Sequence, residues 1–452
     1  MKRCLLVLSF IYFLTSISIF AITGTGSFSD PYIITNENDL ITVMTNNSYW
    51  GSGIFLELGA DLDMNGYLTC SPIGSNSNNF LGNFNGNNHI IRNVTLGTPS
   101  SWYQGLFGII GNSGNVSNIN LEDLTLVAEN YAGGICGRNY GIIQYCSTSG
   151  TLTVYHDHVG GVCGNNEGGS IYKCYSSCNI TGRHQVGGFC GDNRDGSIKK
   201  CYSTGNISGG EYMLGGFCGI NLDATIYNCY STGNVTNAKY RVGGFCGQNY
   251  GGSILYCYST GNVLNGEESV GGFLGVNYMA DTRNSYSLGN ANGIMNVGGF
   301  CGYNEDGIIS NSYSRGNASG DSLIGGFCGS SYSNSEIGYC YSKGVPSGTL
   351  KIGGFIGENL NTSFTCDFWG FTGGSGFYDS GSEGDLSNVI RLEPDQIVLE
   401  SSFYCFDFNG TWGMSTSGPY LTYVPTLTKI TEIIFISLLC IIGGWFIMRR
   451  FV

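Results

Sequence analysis

Thiols, phenols and a few imidazoles are the side chains here that could do chemistry, and most of them recur at a fixed spacing. The chain has 19 cysteines in 452 residues. Cys136, Cys163, Cys190, Cys218, Cys246, Cys301 and Cys328 form one column, and Cys146, Cys174, Cys201, Cys229, Cys257 and Cys340 form a second, 10 to 12 residues further on. Two readings follow. Cysteine can serve as a small buried hydrophobe. Alternatively the columns pair within each repeat, as Cys136–Cys146, Cys163–Cys174, Cys190–Cys201, Cys218–Cys229, Cys246–Cys257 and Cys328–Cys340, each bridge contributing about 2 to 3 kcal/mol from loop closure. The copy with Leu274 and Ser285 has lost both partners together, as pairing predicts, but Cys301 stands opposite Ser312. Cys178 replaces a glycine of the repeat and is a candidate free thiol. With Cys4 and Cys440 set aside, 17 of the 19 remain, so at least one is unpaired or intermolecular. No Cys-x-x-Cys with zinc spacing occurs.

His156 and His158 flank Asp157, and His184 follows about one repeat later, a spacing that a zinc site bridging two repeats would use; an exposed polar strand end explains it equally. Asp192, Asp195, Glu211, Asp223 and Asp306 fall in turns, out of register and without basic companions, and read as solvated charges. The sequence therefore leads us to expect no catalytic, cofactor-binding or metal-binding residue. A tyrosine column, Tyr175, Tyr202, Tyr230, Tyr258, Tyr286, Tyr313 and Tyr341, follows the second cysteine column. If the cysteines face inward, alternation turns these rings outward as a ladder. The ladder serves either inter-coil packing or as a flat surface for sugar rings or a partner protein.

The element that must position all of these is a unit written in full at Val186 to Ile207, VGGFCGDNRDGSIKKCYSTGNI. Its Gly-Gly pair recurs from Gly133 to Gly353 at intervals of 27 or 28 residues, and a period of this size marks a stacked repeat architecture. Each unit holds three short strand-like pieces separated by Asn- and Gly-containing turns, and no sustained helical period appears between 100 and 365. The predicted fold is all-β: a parallel β-helix, or β-solenoid, of about ten coils. Stacking at about 4.8 Å turns recurrent residues into ladders. Asn139, Asn166, Asn193, Asn221, Asn249, Asn277, Asn304 and Asn359 are expected to form a turn ladder, and Ile143, Ile171, Ile198, Ile226, Ile254, Ile309 and Ile337 a core stripe. Ile198 and Cys201 differ in parity, so both can face inward only if the chain bends between them.

Seventy-four glycines without a Gly-X-Y period exclude collagen, and the formal charge of -13 argues against nucleic acid or anionic lipid as a partner. Residues 1–21 carry Lys2 and Arg3, then an apolar run ending at Ala21, the layout of a signal peptide or of an uncleaved anchor. Residues 430–448 are apolar apart from Thr431, Glu432 and Ser437 and precede Arg449 and Arg450, which suits one C-terminal transmembrane helix with the body outside.

The unit resembles the GLUG repeat (Gly, Leu, any residue, Gly) of secreted bacterial proteins, with Phe or Ile usually in place of Leu, as at Phe189 and Phe245, and GLFG kept at Gly105. DLDMNG at Asp61, FNGNNHIIRNVTL at Phe84 and CDFWG at Cys366 are similar to the flanks of such arrays. VPTL at Val424, followed by the apolar run and the Arg pair, resembles the bacterial IPTL-type sorting signal, although the Trp often found after that motif is absent. The resemblance implies a β-helical surface protein and carries no catalytic residue across. The expected division is 1–21 signal peptide, 22–100 N-terminal cap and first coils, 101–370 repeats, 371–423 closing segment, and 424–452 sorting signal with helix and Arg tail.

The resulting expectation is an exported, membrane-anchored envelope protein, adhesin-like or structural, with a glycan, matrix component or cell-surface protein as partner and with sorting machinery acting on its tail. The alternative is a β-helical polysaccharide lyase or glycoside hydrolase. Because every strongly repeated residue has a structural reading, binding specificity should lie in what does not repeat.

Overall fold

The computed structural model describes residues 22–67, 71–370, 388–393 and 395–422. The expected signal peptide and the residues from Val424 onward lie outside the described residues, as do residues 371–387 of the expected closing segment. No helix among the described residues is long and apolar enough to cross a membrane.

The body is a parallel β-solenoid. One coil shows how the sequence makes it. Strand β1 is His184–Gly187, β2 is Cys190–Arg194, β3 is Ser197–Lys199, β4 is Tyr202–Ser203 and β5 is Ile207–Ser208. Each pairs in parallel with its counterpart in the next coil, so that Cys190 lies over Cys218, Ile198 over Ile226, Tyr202 over Tyr230 and Ile207 over Val235. The β1 and β2 positions stack ten strands deep, and the β3 position thirteen. In-register stacking satisfies each strand's backbone from the coils above and below, which is why strands of two to five residues persist.

The interior is built from ladders. Ile143, Ile171, Ile198, Ile226, Ile254, Ile309 and Ile337 are buried, as the sequence predicts. Beside them runs a phenylalanine ladder from Phe189 to Phe355, with centroids 4.8 or 4.9 Å apart between successive rings. The Asn ladder expected in a turn lies instead within β2, near its end: Asn166 Nδ2 donates to Asn193 Oδ1 at 2.7 Å and Asn193 Nδ2 to Asn221 Oδ1 at 2.8 Å, so each buried amide is satisfied by the next. A second, outer Asn ladder forms from the GN of each unit: Asn206 Oδ1 accepts from the Asn234 backbone N–H at 2.9 Å, and Asn234 Oδ1 from that of Asn262.

The bend required between Ile198 and Cys201 is present. Lys200 adopts a left-handed conformation, φ +56°, as do Asn228 and Tyr256 at the same place in the following coils. It reverses the alternation, so that both Ile198 and Cys201 reach the core.

The start of the body differs from a purely turn-rich lead-in. Glu37–Thr45 forms helix α1, with Asn36 as N-cap accepting from the Asp39 N–H. Its Leu40, Val43 and Met44 join the solenoid core, and Trp50 Nε1 donates to the Val43 carbonyl at 2.7 Å. Covering the first coil in this way shields its exposed strand edge.

No bridge joins the two cysteine columns within a coil, a pairing that is one of the two readings the sequence leaves open. Cys136, Cys146, Cys163, Cys174, Cys190, Cys201, Cys218, Cys229, Cys246, Cys257, Cys328 and Cys340 are all free and buried. The physical reason is register: each thiol sits beside its own column's thiol one coil away. Burial pushes the Cys163 thiol well above the ordinary range, and hydrogen bonding to Cys136 and Cys190 adds to it. Buried in register, the column thiols fill the interior as small hydrophobes. Cys178 is likewise free and buried. The disulfide that does form, Cys366–Cys405, ties the last coil to the closing segment.

Candidate functional site

Strands β1 and β2 of neighbouring coils meet at a wedge whose apex admits no side chain. A Cβ added to Gly191 would lie 2.6 Å from both the Gly164 carbonyl oxygen and the Val159 nitrogen. Outward from this contact, two columns of side chains face one another. One comes from the second residue of β1, held left-handed in coil after coil at His158, Gln185, Met213, Arg241, Ser269 and Asn296. The other comes from the third residue of β2, at Asn165, Asp192, Ile220, Gln248, Val276 and Tyr303. The glycines that floor the wedge repeat, but its walls do not.

The walls close by different chemistry at different levels. His158 Nε2 lies 3.5 Å from Asp192 Oδ2, which also receives Arg194 at 3.0 Å. Arg241 donates to Gln248 Oε1 at 2.8 Å. Lys351 pairs with Glu358, which also accepts from Tyr332. Burial opposes ionisation of Glu358, but the Lys351 and Tyr332 hydrogen bonds outweigh it and hold the carboxyl below its ordinary range.

At one level the wedge stays open. Ser269 and Val276 are too short to meet, while Arg241 with Gln248 below and Tyr303 above fill their own levels. The result is a cavity of ≈ 440 Å³. Its rim carries Tyr250 and Tyr278, stacked at 5.1 Å and 26°, together with Glu268 and Glu305. Tyr303 donates to Glu305 Oε2 at 2.9 Å, and its phenol is pushed up by burial and by that carboxylate. None of these cavity residues stands out in the sequence. Their only signal is position: they occupy the variable places beside the repeated VGG and CGxN.

The tyrosine column forms a second surface. Its rings stack almost in parallel, Tyr175 on Tyr202 at 5.0 Å and 2°, and Tyr202 on Tyr230 at 4.8 Å and 2°. Exposure changes along it: Tyr175 is 40% exposed, Tyr258 is 1% and Tyr341 is 0%. The closing segment covers the far end. Phe403, Phe406 and Trp412 pack with Tyr258, Tyr286, Tyr313 and Tyr341 into a core separate from the solenoid interior. Only Tyr175, Tyr202 and Tyr230 are left at least partly open to a ligand.

The other sequence candidates scatter. His184 Nδ1 lies 2.8 Å from Asp157 Oδ1 and its Nε2 3.4 Å from Glu211 Oε2, whereas His158 turns into the wedge, so the imidazoles do not converge. Among the described residues no group of three or more His, Cys, Asp or Glu side chains is placed to hold a metal. Asp195 and Asp223 are exposed turn residues, but Asp192 is fully buried in the wedge, contrary to its reading as a solvated charge.

The chain carries GLUG motif repeats: residues 182–208, 210–236, 239–264 and 293–319 match the family model of the GLUG motif. Over 138 residues it is 35% identical to a protein of Evansella cellulosilytica provisionally named a Gly-rich membrane protein, a match spanning 29% of this chain and 16% of that one. It is 28% identical over 138 residues to Halomucin of Haloquadratum walsbyi, spanning 28% of this chain and 2% of that protein. Among solved structures it is similar to a provisionally named immunoglobulin A1 protease from Bacteroides ovatus, with 19% identity, a TM-score of 0.36, and coverage of 89% of this chain and 95% of that one.

Proposed function

We propose that this chain is an exported, membrane-anchored, non-enzymatic surface protein whose solenoid binds an extended partner, adhesin-like, with cell-surface or matrix glycan as the favoured partner. The observation that carries this reading is the wedge: a continuous surface whose glycine floor is constant while its walls change at every coil. A polymer laid along it would meet a different set of side chains every ~4.8 Å, which is how a regular rod acquires specificity. The names of the two relatives, a membrane protein and Halomucin, agree with placement at a cell surface. The open tyrosines Tyr175, Tyr202 and Tyr230 offer a second face of the kind that sugar rings stack on.

Cells displaying the full chain should adhere to a glycan-coated surface, and adhesion should fall when Tyr250 and Tyr278 are changed to alanine. Equal adhesion by cells without the protein would dismiss the reading.

One observation favours the alternative, a β-helical polysaccharide lyase or hydrolase: Glu268 and Glu305 line the same cavity. Paired carboxylates are what glycoside cleavage uses. Release of reducing ends from polysaccharide by the wild type, abolished in Glu305→Gln, would establish it.

A further inference from the structure

We infer that the cavity at Ser269 and Val276 is a subsite for one neutral sugar ring; this deepens the glycan-binding reading and rests on it. Four properties of the cavity point the same way.

First, its volume, ≈ 440 Å³, lies in the range of about 300 to 1,000 Å³ typical of small-ligand sites. Second, its rim carries the rings of Tyr250 and Tyr278, stacked on one another, the former exposed. A pyranose presents an apolar C–H face, which such rings accept, and a perimeter of hydroxyls that must be hydrogen-bonded. Third, the polar groups around the rings are mixed donors and acceptors. Gln248 can do both, Glu268 and Glu305 accept, and Arg241 donates. Hydroxyls satisfy such a set because each donates and accepts. Fourth, the charge balance disfavours an acid. Two carboxylates face one guanidinium already engaged by Gln248, in a chain of net charge -13, so a uronate or sulfated sugar would meet repulsion.

The cavity's origin supplies its test. Ser269 and Arg241 both have φ +58°, so the backbone at 269 already suits arginine. Val276 lies directly below Tyr303 in the β2 stack. Ser269→Arg and Val276→Tyr therefore fill the notch with residues that an adjacent coil carries at the same place, and both variants should fold.

The full chain, in detergent, would be titrated calorimetrically with three neutral hexasaccharides, of β-1,4-linked glucose, β-1,4-linked N-acetylglucosamine and α-1,6-linked mannose, and with hexagalacturonate as the acidic comparator. At least one neutral oligosaccharide should bind, and more tightly than hexagalacturonate. Its affinity should fall about tenfold or more in Ser269→Arg and in Val276→Tyr, and stay unchanged in Tyr155→Ala, an exposed tyrosine away from both surfaces. Binding that both filled variants retain would overturn the subsite while leaving the surface reading intact. Preference for hexagalacturonate, or no binding to any neutral hexasaccharide, would overturn the neutral-sugar assignment. The function proposed above fails separately, if displaying cells also do not adhere.

Discussion

The guanidinium of Arg315 donates to the Pro419 carbonyl at 2.8 Å, joining residues 104 positions apart. It also reaches the Gly418 carbonyl at 3.3 Å, and Lys343 Nζ reaches that of Ser417 at 3.1 Å, so two side chains of the array clamp the closing hairpin, Trp412–Ser415 with Gly418–Leu421. The interface they secure is costly in places: Tyr258 Oη, Tyr341 Oη and Trp412 Nε1 are buried without a hydrogen-bond partner among the described residues. Each such group costs about 1 to 3 kcal/mol. The closing segment therefore depends on its tethers.

Removing the covalent tether should release the segment. Cys366 and Cys405 are 39 residues apart, so their bridge contributes roughly 4 kcal/mol in the loop-closure account. In Cys405→Ala, Trp412 fluorescence should shift to the red and limited proteolysis should cut within 395–422 while the repeats stay intact. An unchanged emission maximum and cleavage pattern would show that packing and the Arg315 and Lys343 hydrogen bonds hold the cover without the bridge.

The amide ladder gives a graded expectation. Asn193→Ala leaves Asn221 Oδ1 without its donor and Asn166 Nδ2 without one of its two acceptors, which should cost about 2 to 4 kcal/mol. Asn193→Ser should cost less, because the array itself carries such a rung where Asn304 donates to Ser331 Oγ at 3.2 Å. Urea midpoints falling in the order wild type, serine, alanine would bear this out; equal midpoints for the two variants would not.

The buried thiols should be silent in the native protein. Alkylation without reductant should leave the column cysteines unmodified until the chain is denatured, then label all of them while Cys366 and Cys405 stay linked. Mass spectrometry of the unreduced digest reads this directly, and a peptide joining Cys190 to Cys201 would restore the cross-coil bridges. Cys246→Leu should fold, since Leu274 occupies that core position one coil on.

What was legible in the sequence follows from register. Ile198, Asn193 and Tyr202 could be placed because a parallel stack sets each residue on its own counterpart, so one period reports many contacts. At the cysteines the sequence leaves two readings open. A spacing of 10 to 12 residues suggests closure across a coil, yet the nearest thiol to Cys163 along its column is one full turn away. Helix α1 was hidden because nine residues carry little period of their own and owe their helicity to docking through Leu40 and Val43. The cover over Tyr341 was hidden because the contact between residues 315 and 419 is not periodic. The cavity was hidden for a further reason: it arises from the difference between Ser269 and its neighbours Arg241 and Asn296, and a repeat consensus averages that difference away.

Asp367 offers a pH test of the same logic. It ends the second cysteine column, where its Oδ1 accepts from the Cys340 N–H at 2.8 Å and its Oδ2 from that of Thr365 at 3.2 Å. Burial drives its pKa well above the ordinary carboxyl range, and the two N–H donors only partly oppose this. A carboxyl raised on folding is neutral in the folded chain at pH values where the unfolded chain has already ionised. Its favourable contribution is thus complete below the unfolded pKa of about 3.9 and is lost as pH rises toward the folded value. Serine does the same structural task two coils earlier, where Ser312 Oγ accepts from the Ser285 N–H at 3.3 Å. Asp367→Ser should therefore unfold at a higher urea concentration than wild type at pH 8, with the gap narrowing steadily toward pH 4. All other titrating groups are shared, so the difference isolates this carboxyl. A gap that is constant with pH, or that widens in acid, would mean that Asp367 is ionised in the folded protein and that its two backbone donors, not burial, set its state.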